Sequence, residues 1–359
     1  MKRDIIKKII FFQIVIFILS INQSIAQVSP SENAYTTDAT RRGSAAATML
    51  GIGIGARAEG MGGAFSAVAS DASALYWNPS GITQIKTVEV LFTNAAWFVD
   101  SKFNALDLVI PLQSLNSAIG FHMAMLNYGS APVRTEFRPE GTGETYDAND
   151  YVAGLYWAMD ITNRIAVALG VKYFHQQIWH VEGGAFAADL SILFKTPVKG
   201  LNLAGVISNF GTEFGLYGRD LTRVIDVDGR RDYYYNDDNV PINYATETYP
   251  LPLLFRFGIG YNWVINPKTS IQFAGNLNHP SDNVETVDLG IEGRLFSIVY
   301  LRAGYHSLFA DYAADGLTLG AGLKYKILGA VNLTFDYSWS DWSVLTYVNR
   351  FSVGISAAY

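Results

Sequence analysis

From Thr87 to the last residue the chain is written in short segments that alternate apolar and polar positions. In 348–359, Phe351, Val353, Ile355, Ala357 and Tyr359 alternate with Arg350, Ser352, Gly354, Ser356 and Ala358. In 317–327 the apolar set is Leu317, Leu319, Ala321, Leu323, Tyr325 and Ile327, set against Thr318, Gly320, Gly322, Lys324 and Lys326. Segments 331–339 and 253–263 follow the same rule. A period of two puts one set on each face of a sheet. The whole chain predicts about fourteen strands of roughly nine to eleven residues, the length that crosses a bilayer at a tilt. They begin near Thr87, Lys102, Ser117, Asp150, Arg164, Ala185, Leu201, Leu253, Thr269, Glu285, Ile298, Gly316, Ala330 and Val348.

The expected connections alternate in length. Short ones fall at 111–116, 160–163, 196–200 and 266–268 and near Phe296 and Leu328; long ones at 128–149, 176–184, 211–252, 278–284 and 306–315. Outer-membrane barrels have short periplasmic turns and long outer loops. Counting up from a periplasmic N-terminus places every short turn in the periplasm. Tyr173, Tyr305, Tyr337 and Trp339 then fall near outer strand ends, and Trp157, Trp263, Tyr325 and Tyr359 near inner ends. All lie on the apolar face, as two interfacial girdles require. The expected fold is all-β: a closed antiparallel transmembrane barrel of about fourteen strands in a Gram-negative outer membrane, with lipid as its outer solvent. The terminal aromatic Tyr359 is similar to the signal read by the outer-membrane assembly machinery.

Residues 1–26 have the features of a secretory signal. Lys2, Arg3, Lys7 and Lys8 precede an apolar run over 9–21, and Ser24, Ile25 and Ala26 form a small-residue cleavage site. Residues 27–86 do not alternate and are expected to form a plug, with 44–80 inside or under the periplasmic mouth; 87–359 form the barrel.

Composition agrees. Charged residues are 16% of the chain, beside 33 glycines, 21 tyrosines and 21 phenylalanines. No cysteine is present, so there is no disulfide and no cysteine for lipid attachment. Removing the signal takes 4 of 26 basic and 1 of 32 acidic residues and leaves a net charge of −9, which argues against nucleic acid as a partner.

The segment before the barrel is rich in small residues. Gly51, Gly53 and Ala56 fit a dinucleotide-loop pattern only formally, without a strand–helix setting. Close backbone packing in a crowded lumen is the better account. Asp71 is a suitable N-cap for a short helix through Tyr76, and Asn78-Pro79 ends it. The stretch 55–82 resembles the N-terminal signature of the PorV/PorQ family, whose members are relatives of the FadL-type long-chain fatty-acid transporters. The resemblance rests on Gly60, Met61, Gly62, Gly63, Asp71, Asn78, Pro79 and Gly81, and implies that these are plug or gating residues in a fourteen-stranded barrel.

No catalytic constellation stands out, and an enzyme is not expected. The histidines at 122, 175, 180, 279 and 306 are scattered, and neither a metal nor a cofactor is expected. Charges of both signs fall on lumen positions: Lys172, Asp189, Arg256, Asp288, Glu292, Arg294, Arg302, Lys324, Lys326, Asp336 and Arg350. In a narrow plugged barrel these are expected to pair and hold the plug. Two functions follow. The family resemblance implies an adaptor in type IX protein secretion, with Tyr233, Tyr234 and Tyr235 of the longest loop as a partner-binding surface. The alternative is FadL-like transport of hydrophobic small molecules such as fatty acids or hydrocarbons, with Met49, Leu50, Ile52 and Phe65 touching the ligand.

Overall fold

The computed structural model describes residues 41–225, 240–310, 313–327 and 331–357. The candidate signal sequence, Tyr233, Tyr234, Tyr235 and Tyr359 lie outside them. The wall has fourteen strands: β1 (Val88–Ala96), β2 (Lys102–Leu112), β3 (Ser117–Pro132), β4 (Thr145–Thr162), β5 (Ile165–Ile178), β6 (Val181–Lys195), β7 (Leu201–Gly211), β8 (Leu254–Asn266), β9 (Thr269–Pro280), β10 (Thr286–Leu295), β11 (Val299–Leu308), β12 (Leu317–Ile327), β13 (Val331–Asp341) and β14 (Tyr347–Ala357). Every strand pairs antiparallel with its sequence neighbours, and β1 closes on β14 from Val88↔Ala357 to Ala96↔Asn349. Closure of β1 on β14 leaves no open seam, so the strands pair with one another around the wall, as lipid demands.

The alternation read from the sequence becomes two faces. Phe92, Leu106, Leu155, Trp157, Tyr173, Phe257, Trp263, Tyr305, Leu323, Tyr325 and Phe351 are exposed on the outside. Their neighbours Asp107, Tyr156, Lys172, Arg256, Arg302 and Arg350 are buried inside. That inversion fits a barrel whose outer solvent is hydrocarbon.

Two expected loops are strand instead. β3 and β4 run on to Pro132 and from Thr145, and β5 and β6 meet in a tight turn at Trp179 and His180. The cause is a polar ladder that keeps these strands paired. Asn127 Nδ2 donates to Asn149 Oδ1 at 2.5 Å, Gln176 Nε2 to Asp150 Oδ1 at 2.7 Å, and Tyr128 Oη to Asp150 Oδ2 at 2.9 Å. Such composition reads as loop in a membrane protein, yet it is what a strand projecting beyond the bilayer needs.

The wall therefore steps down. β3 to β6 have 14 to 18 residues, whereas β7 has 11 and β8 has 13. Above the step β6 has lost β7 as a partner. There Val181 and Glu182 pair instead with Gly218 and Tyr217 of the outer connection, whose Phe214 and Leu251 are buried against the lumen.

Candidate functional site: a threaded lumen

The segment before β1 runs the full height of the barrel. Its described start is at the outer rim, where Arg42 Nε donates to Asn283 Oδ1 at 2.9 Å and Ala46 N to Pro250 O at 3.0 Å. Both partners lie in outer connections. The chain then descends through an apolar 3-10 turn, Thr48–Gly51, and an extended stretch from Ile52 to Gly55. Met49, Leu50, Ile52 and Ile54 are buried among Phe103, Leu126, Val152, Phe174, Phe214 and Leu251. At the inner rim Gln113 Nε2, in the β2–β3 turn, donates to Lys86 O at 2.8 Å, and β1 begins. The expectation of 44–80 inside the barrel or under its periplasmic mouth left open how high in the lumen the segment reaches. The observed thread reaches the outer rim because residues 46–54 are apolar enough to fill the upper lumen.

Below Gly55 the thread is held by charge. Arg57 pairs with Glu292 at 2.8 Å and Asp71 at 3.0 Å, while Arg302 bridges Glu292 and Asp336 at 2.6 Å each. Glu59 pairs with Arg350 at 2.8 Å and faces His306 at 3.5 Å. Buried ion pairs are costly to break, so these fix the lower plug to the wall. Lys172 and Asp189 pair at 2.8 Å as the sequence led one to expect.

The predicted plug residues fall in this lower section. Asn78 is fully buried: its Nδ2 donates to Ser66 O at 2.7 Å, and its Oδ1 accepts from Ser80 Oγ at 2.5 Å and Ser80 N at 3.2 Å. That side chain caps the 3-10 turn Pro79–Gln84, which Pro79 opens. Asp71 does not cap the next helix directly. Its Oδ1 accepts from Ser73 N and Oγ, and the helix Ala74–Trp77 starts after Ser73. A Cβ at Gly81 would meet Ala69 O at 2.5 Å.

Gly60, Met61, Gly62 and Gly63 meet a wall built to receive them. Gly62 has φ +64, and a Cβ there would stand 2.5 Å from Tyr305 N. On the wall, Gly290, Gly304 and Gly320 occupy inward positions of β10, β11 and β12. A Cβ on Gly290 or Gly304 would strike Met61, and one on Gly320 would stand 3.1 Å from Gly60 Cα. This backbone-on-backbone contact was not found from the sequence. Its signal was there: glycines at inward positions on three consecutive strands. Arg57 and Glu59, missed as anchors, sit inside the same motif.

The four expected ligand contacts do not come together. Met49, Leu50 and Ile52 line a residual cavity of about 20 Å³ in the upper lumen, with Phe103, Val152 and Tyr156. Phe65 belongs to the lower core, under the Arg57 guanidinium at 5.1 Å and edge-on to Trp77. A polar cavity of about 280 Å³ lies beneath the plug, lined by Arg57, Asp71, Glu292, Arg294, Lys324 and Asp336. Among the described residues no three metal-ligating side chains converge.

Residues 22–141 match an uncharacterised protein family (UPF0164), about a third of the chain. No curated protein matches the sequence. Among solved structures, the toluene transporter TodX of Pseudomonas putida is similar over 86% of this chain and 98% of its own, at 11% identity and TM-score 0.54. The CymD monoaromatic hydrocarbon channel is similar over 86% and 98%, at 12% identity and TM-score 0.52. The chain is a closed fourteen-stranded outer-membrane β-barrel with the fold of these channels.

In this outer-membrane barrel the wall is irregular where it steps down. Between Ala188 and Leu190 of β6 the pairing jumps from Phe210 to Ile207, so Ser208 and Asn209 face Asp189 alone. Asn209 is buried with φ +66, a left-handed conformation that asparagine tolerates. Its N–H donates to Asp189 Oδ1 at 2.8 Å and its Nδ2 to Pro252 O at 2.7 Å. This is a β-bulge with Asn209 as the inserted residue. Just below it, on the lipid side, an apolar groove of about 630 Å³ is lined by Leu169, Leu190, Ile192, Ile207 and Phe257 and deepened by Gly205.

Proposed function

We propose that this protein carries small hydrophobic molecules across the outer membrane. The observation that carries this reading is the character of the upper lumen. Phe103, Leu126, Val152 and Phe174 line it, with Phe214 and Leu251 from the outer connection. A water-filled porin presents polar side chains to its channel. Here the two polar side chains at the chamber, His122 and Lys172, are each taken up by a wall carboxylate, and the ion pairs that hold the plug lie lower. An apolar solute entering from outside meets a compatible chamber and then a floor it cannot cross. The bulge at Asn209 and the groove below it supply a sideways route into the bilayer. The structural neighbours named as toluene and monoaromatic hydrocarbon channels are consistent with a compact apolar substrate.

The resemblance to PorV/PorQ had put a type IX secretion adaptor first. The structural similarity to hydrocarbon channels supports the transport reading over it, and the tyrosines offered as the adaptor's contact surface lie outside the described residues. The test is solute uptake by cells that differ only in this protein. Cells making it should take up toluene several-fold faster than cells lacking it, with no gain for a hydrophilic trisaccharide. A gain for the trisaccharide alone, or for neither solute, would refute the proposal.

A further inference from the structure

The inner end of the barrel is charged out of proportion to the rest of the chain. Taken whole, the sequence is acidic, with 32 carboxylate residues against 26 lysines and arginines. Around the periplasmic mouth the described residues reverse this, with ten cations against five carboxylates. Six of the cations, Lys86, Arg164, Lys195, Lys199, Lys268 and Lys326, sit in the turns and strand ends of the rim, where Asp160 is the one carboxylate. None of the six has an ion pair among the described residues.

The other four cations lie deeper, in the cavity of about 280 Å³ beneath the plug, together with four carboxylates. Pairing there is uneven. At the ceiling Arg57 and Arg302 hold Asp71, Glu292 and Asp336. That leaves Arg294 and Lys324 with Glu89, whose Oε1 already accepts from Ala72 N at 2.8 Å. Arg294 makes no hydrogen bond or ion pair among the described residues, and its Nε is buried without a partner. A buried polar group left alone needs an explanation, and a guanidinium only donates, so what Arg294 lacks is an acceptor. The register sets Tyr300 opposite Arg294 and Thr334 opposite Lys324, which adds two hydroxyls to the same arc of wall.

We propose that the cavity beneath the plug binds a small oxyanion with more than one charge, a phosphate or a polycarboxylate, drawn in from the periplasm by the cationic rim. A cleft lined by one sign of charge concentrates ions of the other sign, and the rim supplies that field. Arg294 and Lys324 supply charge-assisted hydrogen bonds, and a guanidinium matches the oxygens of a carboxylate or phosphate in geometry as well as charge. Two unpaired cations on one side of the cavity favour a ligand with more than one charge. The ceiling ion pairs stay as they are, so the plug keeps its position and the ligand never meets the apolar chamber above. The site is therefore independent of the transport reading.

The test uses the full barrel, purified and reconstituted in phosphatidylcholine nanodiscs, at low ionic strength because salt screens the rim. Citrate and inorganic phosphate are titrated by calorimetry against the wild type and three variants. These are Arg294→Gln with Lys324→Gln, Lys324→Gln alone at an exposed position, and Lys102→Gln, which removes an exposed cation from the outer end of β2. Each is checked for heat-modifiable migration. The wild type should bind at least one probe, one ion per barrel. The double variant should weaken that binding by about tenfold or more, as loss of a charged hydrogen bond does. Lys324→Gln alone should weaken it several-fold, and Lys102→Gln should leave it unchanged. Binding of neither probe would overturn the site. So would wild-type affinity in Lys324→Gln or in the assembled double variant, or equal weakening by Lys102→Gln, which would reduce the effect to general surface charge. Repeating the titration in discs that contain phosphatidylglycerol separates a free oxyanion from a lipid phosphate. Unchanged binding supports the proposal, and binding abolished by that lipid would give the site to a headgroup and overturn the soluble ligand.

Discussion

Gly62 shows how much a single residue can fix. It lies in the left-handed region at φ +64, where an L side chain costs about 1–2 kcal/mol. The missing Cβ would stand 2.5 Å from Tyr305 N and 2.9 Å from Leu289 O, both backbone atoms that cannot rotate away. Gly62→Ala should therefore destabilise the folded barrel by about 2–4 kcal/mol, adding overpacking to backbone strain. Urea titration of the heat-modifiable band in lipid measures this, and an unchanged midpoint would contradict it. The glycine motif was legible in the sequence as a place of close packing. What it packs against was not, because Gly290, Gly304 and Gly320 are brought to it only by the register of β10, β11 and β12. Asn78 was legible as a stop beside proline, but not as the group that satisfies Ser66 and Ser80.

At the scale of elements, the period of two located the fourteen strands and failed where strand chemistry changes. β4 and β6 start at Thr145 and Val181, above the expected Asp150 and Ala185, because their upper ends leave the membrane and trade lipid-facing apolar residues for a polar ladder. Four strands, β4 to β7, are joined at mid-height by Asp189. It accepts from Tyr156 Oη at 2.9 Å, Lys172 Nζ at 2.8 Å and Asn209 N at 2.8 Å, so one carboxylate ties β4, β5, β6 and β7. Asp189→Ala leaves Lys172 buried without a partner and should cost about 3–5 kcal/mol. The double change Lys172→Met with Asp189→Leu should cost clearly less, since no charge is then stranded. The same unfolding titration separates the two, and a single variant as stable as the parent would refute the role given to Asp189.

Over the whole molecule, two halves of one lumen have different chemistry. The lower half is a set of ion pairs and glycine contacts that holds a floor. The upper half is apolar, filled by 46–54 from the outer rim. The sequence contained both halves, since the apolar run and the charged inward positions are visible in it. It could not show that the run ascends, because a segment preceding β1 can lie under the mouth or climb through the lumen with equal local preference. Only the Arg42–Asn283 and Ala46–Pro250 contacts decide it.

A floor that stays fixed leaves the wall as the way out, and the wall is interrupted where Asn209 is inserted between β6 and β8. Deleting Asn209 restores one-to-one pairing, with Ser208 opposite Asp189 and the inward–outward alternation on either side preserved. The most direct measurement is toluene uptake by cells making equal amounts of assembled wild-type or Asn209-deleted protein. The account predicts wild-type uptake several-fold above that of cells without the protein, and uptake by the deletion variant at the level of those cells. A deletion variant that assembles and retains wild-type uptake would contradict it.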